Sequence, residues 1–127
     1  MTRPAASRAV TALARVRKIC LALPETSERL SHGAPTFFVG SKPTFLMFAE
    51  NHHGDGRLAI WCAAPDGAQE ALVAADPERF FRPPYVGYRG WIGVRLERPD
   101  WKLVEGIIED AYRRVAPPKF IALLDAR

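Results

Sequence analysis

Pro77–Leu96, PERFFRPPYVGYRGWIGVRL, is the stretch on which the reading of this chain turns. Its last residues, Gly90–Leu96, alternate as a strand does, with Ile92, Val94 and Leu96 on one face and Trp91 and Arg95 on the other. Pro83-Pro84 and Gly87 mark residues 82–90 as a shaped loop, and such loops on rigid scaffolds often carry function. Between Glu78 and Glu97 the stretch carries Arg79, Arg82, Arg89 and Arg95 with no acidic residue, interleaved with Phe80, Phe81, Tyr85, Tyr88 and Trp91. Guanidinium groups beside aromatic rings suit phosphate contact and base stacking, the usual signature of a nucleic-acid surface.

Working outward, Asp76-Pro77 closes a preceding helix over Gly67–Ala75. Asp66 opens that helix, and Gln69 stands three residues on, in the position of a capping-box partner. Further back, Thr36–Val39 and Thr44–Ala49 flank Gly40-Ser41-Lys42-Pro43, the pattern of a hairpin with a short loop. A second connection, Asn51–Gly56, leads to a strand over Arg57–Cys62, and a weaker strand pattern lies at Glu28–His32. The spacing of Leu13, Val16, Cys20 and Leu23 predicts a helix over Arg8–Leu23, ended by Pro24. On the far side, Asp100 caps a long helix over Trp101–Val115 with an apolar stripe of Val104, Ile108, Ala111 and Val115, stopped by Pro117-Pro118. The order α-β-β-β-α-β-α predicts an α+β fold, a two-layer sandwich in which an antiparallel sheet of about five strands is covered by helices on one face.

The chain's 127 residues, 48% hydrophobic and 25% charged, suit one ordinary domain with a core that needs no disulfide or metal. Residues 1–7 read as a flexible terminus and 8–127 as the domain. Cys20 and Cys62 read as buried, reduced thiols, the pattern of a reducing cytoplasm. No secretory leader or membrane span is legible, which points to a cytoplasmic protein without membrane contact. The net charge of +4 is mild. Its distribution is more telling: basic groups gather in 1–24 and 79–96, acidic ones in 100–110, so one face should be basic and another mixed.

In order along the chain stand Leu23-Pro24-Glu25, His32-Gly33 with Pro35, Phe37–Lys42, Asp76-Pro77-Glu78-Arg79-Phe80-Phe81, Tyr85 with Gly87, Gly90-Trp91, and a last helix through Tyr112. This set, over Val16–Pro118, resembles the MmcQ/YjbR family of small bacterial proteins. The resemblance implies an α+β domain grouped with frataxin-like and secretion-chaperone-like folds, and a DNA-binding label that rests on hairpins shaped like two wings. That label is an analogy of fold. Pro43 departs from the family pattern, and because proline removes a ladder donor, the strand after it should start late or lie at an edge.

Two functional readings stand side by side. In the first, a DNA-binding module of double-wing type contacts phosphates through Lys42 at a hairpin tip and through Arg79, Arg82 and Arg89, with Tyr88 and Trp91 stacking on bases. The plainer account of the same residues makes Phe80, Tyr85 and Trp91 core and the arginine stems a cover over apolar surface. In the second, a chaperone-like domain binds a protein or a small anionic ligand on the concave side of the sheet, through His32, Trp61 and Trp91, with Tyr88 nearby. Whether Arg15, Lys42, Arg82 and Arg89 share a face decides between them. His52, His53 and Asp55 lack the spacing of metal ligands, and the first helix lacks the acidic ridge that iron binding would want, so no metal or cofactor is expected. No G-x-S-x-G elbow, phosphate-cradling G-x-x-x-x-G-K-[ST] loop or H-E-x-x-H is present, so the chain is expected not to be an enzyme.

Overall fold

Six strands form one antiparallel sheet in the order β1-β2-β3-β4-β6-β5 in the computed structural model, which describes residues 5–127. The strands are β1 (Thr26–Ser31), β2 (Ala34–Val39), β3 (Thr44–Glu50), β4 (Leu58–Cys62), β5 (Phe80–Phe81) and β6 (Ile92–Arg95), and the helices are α1 (Ala5–Leu21), α2 (Ala68–Ala75), α3 (Trp101–Val115) and α4 (Pro118–Asp125). The α+β architecture is the one expected, with one strand more. The flexible terminus expected over 1–7 lies for its first four positions outside the described residues, and α1 begins at Ala5.

The strand register sorts side chains into two rows. Phe37, Leu46, Cys62 and Ile92 are neighbours across β2, β3, β4 and β6, and all four are fully buried. They meet Val16 and Cys20 of α1 and Val104, Ile108, Ala111 and Tyr112 of α3 in one core. One residue along each strand, Thr36, Met47, Trp61, Gly93 and Phe81 line up on the opposite face. That face is roofed in part by the two long connections, 51–57 and 82–91.

Pro43 acts as its chemistry dictates. β3 begins one residue later, at Thr44, and Pro43 accepts the Val39 N–H at 2.9 Å through its carbonyl. The strand nevertheless lies inside the sheet, between β2 and β4, so of the two expected outcomes the late start is the one found. The expected capping box of α2 does not form. Gly67, with φ of 81°, takes the N-cap position. Asp66 is displaced outward and receives a 2.6 Å hydrogen bond from Arg114, while Gln69 turns inward to another task. At α3 the expectation holds, with Asp100 accepting from Leu103 N at 3.3 Å.

Cys20 and Cys62 are both buried and unbonded. Burial pushes both thiols far up from their ordinary range. The charge on Cys62 and on Glu28 adds to the effect at Cys20, and Asp110 does so at Cys62. We expect the folded protein to react with a thiol-specific reagent about a hundredfold more slowly than the urea-unfolded chain. Equal rates would contradict this placement.

Candidate functional site

The β1–β2 connection is a two-residue turn, His32-Gly33, with both residues at positive φ (52° and 77°). Such a turn matches the right-handed twist of its flanking strands. It stands His32 at the rim of the sheet face that the helices leave open.

The 51–57 connection is tied by its own side chains. Asn51 Oδ1 accepts from Gly56 N and Asp55 Oδ1 from Arg57 N, each at 2.8 Å. The Asp55 carboxylate is thereby spent on the loop and on Arg57, 3.9 Å away, which leaves His52 and His53 to turn toward the sheet. The His52 ring meets Trp61 edge-on at 4.7 Å, and His53 and Tyr85 at 4.2 and 6.1 Å between ring centroids.

The 82–91 connection is held from below. Gln69, buried on α2, donates to the carbonyl of Gly87 at 2.8 Å and also to the carbonyl of Trp91. A Cβ on Gly87 would overlap the Arg82 stem, so the absence of a side chain there lets Arg82 lie across the loop. Tyr85 sits at φ of 65°, an uncommon setting for a bulky residue, and this turns its ring toward His52 and His53. His32, His53 and Tyr85 all hold left-handed backbone, and strain of this kind gathers at ligand clamps.

Together these segments wall a cleft of about 580 Å³ on the open face. All three histidines of the chain line it, with Trp61, Trp91, Tyr85 and Arg89. Thr36 and Met47 complete its floor, and no carboxylate belongs to the lining. The volume lies within the range of small-molecule sites. Arginines around this side lie over aromatic rings: Arg29 over Phe38 at 3.6 Å, Arg57 over Phe81 at 4.1 Å, and Arg89 over Trp91 at 5.4 Å. On the helical side, Arg17 pairs with Glu28 and Arg113 with Asp125.

The residues expected for nucleic-acid contact are dispersed. Lys42 is exposed on the β2–β3 turn, whose Gly40 stands against Phe120 of α4. Arg79 faces Asp76 at 3.8 Å in a hollow of mixed charge. Trp91 is buried, and it lines the cleft rather than an outward surface. Arg82, Tyr88 and Arg89 stay together on the 82–91 loop, with Tyr88 77% exposed. Arg15 lies over Trp101 of α3, in the helical layer, so Arg15 and Arg89 do not share a face. The three residues of the ligand reading, His32, Trp61 and Trp91, do converge in the cleft. Tyr85 takes the place in its wall expected of Tyr88. His52, His53 and Tyr85 were not foreseen as site residues, although the paired histidines in a glycine-containing loop were visible. Among the described residues no three of His, Cys, Asp and Glu gather as metal ligands, and no helix is long and apolar enough to cross a membrane.

Comparison with known proteins adds the family. No curated protein matches the chain significantly. The crystal structure of a Deinococcus radiodurans protein carrying the domain DUF419 superposes with a TM-score of 0.67 at 20% identity, covering 79% of this chain and 75% of that one, a likeness of fold. The model of the YjbR family matches residues 21–114, from the end of α1 through most of α3, and with the sheet and both roofing loops inside that span, the chain belongs to the YjbR family.

Proposed function

We propose that this protein is a non-enzymatic binding module whose cleft takes a small anionic ligand bearing an aromatic ring. The observation that carries the reading is the composition of one concavity: three histidines, two tryptophans, a tyrosine and an arginine, with no acid among them. Flat rings on several sides favour a flat ligand. Arg89 at the wall favours a negative one. The chain has no recognised catalytic motif, and the only thiols lie buried.

A nucleic-acid strand is the second reading, because it presents the same chemistry of a ring joined to an anion. What favours it is the exposed trio of Arg82, Tyr88 and Arg89 on the 82–91 loop, of which Arg89 lines the cleft. The two differ in salt dependence, since a strand that neutralises several phosphates releases counterions and a single small anion does not.

The test titrates the full chain with anilinonaphthalene sulfonate, an aromatic anion whose emission rises on binding. Labelled single-stranded and duplex DNA are titrated in parallel over a salt series. The expected result is saturable dye binding at one site per chain, weakened about tenfold or more by Arg89→Glu, with a shallow salt slope. Dye binding that Arg89→Glu leaves unchanged overturns the cleft assignment. DNA binding with a steep salt slope, lost on Arg82→Ala and Arg89→Ala, replaces the small ligand with a nucleic acid.

A further inference from the structure

Among the described residues, the buried side-chain polar atoms left without a hydrogen-bond partner are Trp61 Nε1 and His52 Nε2. Both belong to the cleft, and their rings lie 4.7 Å apart edge to face. Buried polar groups in native proteins are nearly always paired, so each orphan calls for an explanation. The two sit together, at the place where β4 passes beneath the 51–57 connection, and the Trp61 side chain is only 2% exposed. No hydrogen-bond partner within the fold uses these nitrogens, and both are enclosed, so a ligand group reaches them only where the surrounding rings part. His52 meets its neighbours through ring contacts.

We propose that this pair is the recognition point for a carboxylate on the ligand: Trp61 Nε1–H and His52 Nε2–H each donate to one of its oxygens, while the ligand's ring lies toward Tyr85 and Trp91. The proposal rests on the cleft being a ligand site, as argued above, and deepens it by naming the ligand's polar group and its orientation. Indole nitrogen only donates, so the partner of Trp61 must be an acceptor. Imidazole Nε2 donates in one tautomer and accepts in the other, so His52 alone would suit either a carboxylate or a primary amide. The charge of the lining decides between them. Arg89, in a lining without any acid, favours the anion. Two donors match the two oxygens of a singly charged carboxylate, whereas a phosphate group would leave an oxygen and a second charge unmet at this depth.

The experiment measures binding of naphthoate, naphthamide and naphthyl phosphate to the full chain by calorimetry. The indole N–H resonances are followed by nitrogen-15 NMR, with that of Trp61 assigned in the unsubstituted chain by triple-resonance spectra. The expected result is naphthoate bound at least about tenfold tighter than either analogue, with the Trp61 indole proton moving downfield, and about tenfold weaker binding in both Trp61→Phe and His52→Phe. The NMR readout uses the unsubstituted chain, so it stands even if a variant folds poorly. Naphthoate bound with the Trp61 resonance unmoved overturns this inference and leaves the cleft reading intact. Equal or tighter binding of naphthamide overturns the choice of carboxylate. Failure of naphthoate to bind while anilinonaphthalene sulfonate still saturates the cleft overturns the inference alone, and failure of both probes overturns the cleft reading with it.

Discussion

Tyr112→Ala is expected to lower the unfolding free energy by about 4 kcal/mol, the largest single loss we anticipate for this fold. Tyr112 is fully buried on α3, its ring meets Phe45 edge-on at 5.9 Å, and its hydroxyl donates to the carbonyl of Pro24 at 2.8 Å. That one bond fastens the last long helix to the junction of α1 and β1, 88 residues earlier in the chain. Removing the ring opens a cavity between sheet and helices, and removing the hydroxyl leaves a buried carbonyl unpaired. Tyr112→Phe separates the two effects, with an expected cost of about 1–2 kcal/mol in urea denaturation. Burial also raises the Tyr112 pKa, so the folded state favours the neutral phenol. A raised folded pKa means that this contribution is complete below the unfolded value of about 10 and is lost as pH rises through the folded one. Tyr112→Phe should therefore flatten the alkaline side of the stability profile. A Phe variant as stable as the parent, with the same alkaline slope, would remove Pro24–Tyr112 from the account.

Gln69→Leu is expected to cost about 2–3 kcal/mol, because two buried carbonyls lose a shared donor while the volume of the side chain is nearly kept. The functional loss should be larger in proportion. Gly87 and Trp91 bracket the part of the loop that carries Tyr88 and Arg89, and Gln69 is the side chain that holds both ends to α2. With that tie gone, hydrogen exchange should quicken across 82–91 while the amides of β3 and β4 remain protected. Dye binding in the cleft should fall about tenfold or more, since the wall it depends on is no longer pre-organised. A variant that keeps both its stability and its cleft binding would show that the loop is set by its own turns alone.

The parts of this fold written most plainly in the sequence are those governed by local rules. α3 runs from Trp101 to Val115 because Asp100 caps it, an apolar stripe recurs along it and Pro117-Pro118 stops it, and all of these are visible in a short window. The β2–β3 hairpin follows in the same way from strand-forming runs on either side of the turn residues Gly40-Ser41-Lys42-Pro43. β5 escaped notice because it is two residues long, too short for any period, and exists only through its pairing with β6. Gln69 was misread for a related reason. Its spacing from Asp66 matches a capping box, but Gly67 takes the cap and long-range carbonyls claim the amide. The family, the α+β architecture with five of its six strands, and the grouping of His32, Trp61 and Trp91 on one side of the sheet were legible. The meeting of the 51–57 and 82–91 connections was not, since it depends on β4 and β6 being neighbours although a helix and a strand separate them in the chain. That meeting is what converts His52, His53 and Tyr85 from loop residues into walls.

The central claim is that this concavity is the working surface of the protein, and amide shift mapping with naphthoate tests it most directly. Naphthoate is titrated to millimolar concentration into the nitrogen-15-labelled chain, and every backbone amide is followed. The account predicts saturating shifts confined to the His32-Gly33 turn, residues 51–57, Trp61 and residues 82–91, all converging on one dissociation constant. Saturating shifts centred instead on the groove that Arg15, Glu105 and Leu124 line among α1, α3 and α4 would contradict it, as would the absence of any saturating shift with both naphthoate and anilinonaphthalene sulfonate.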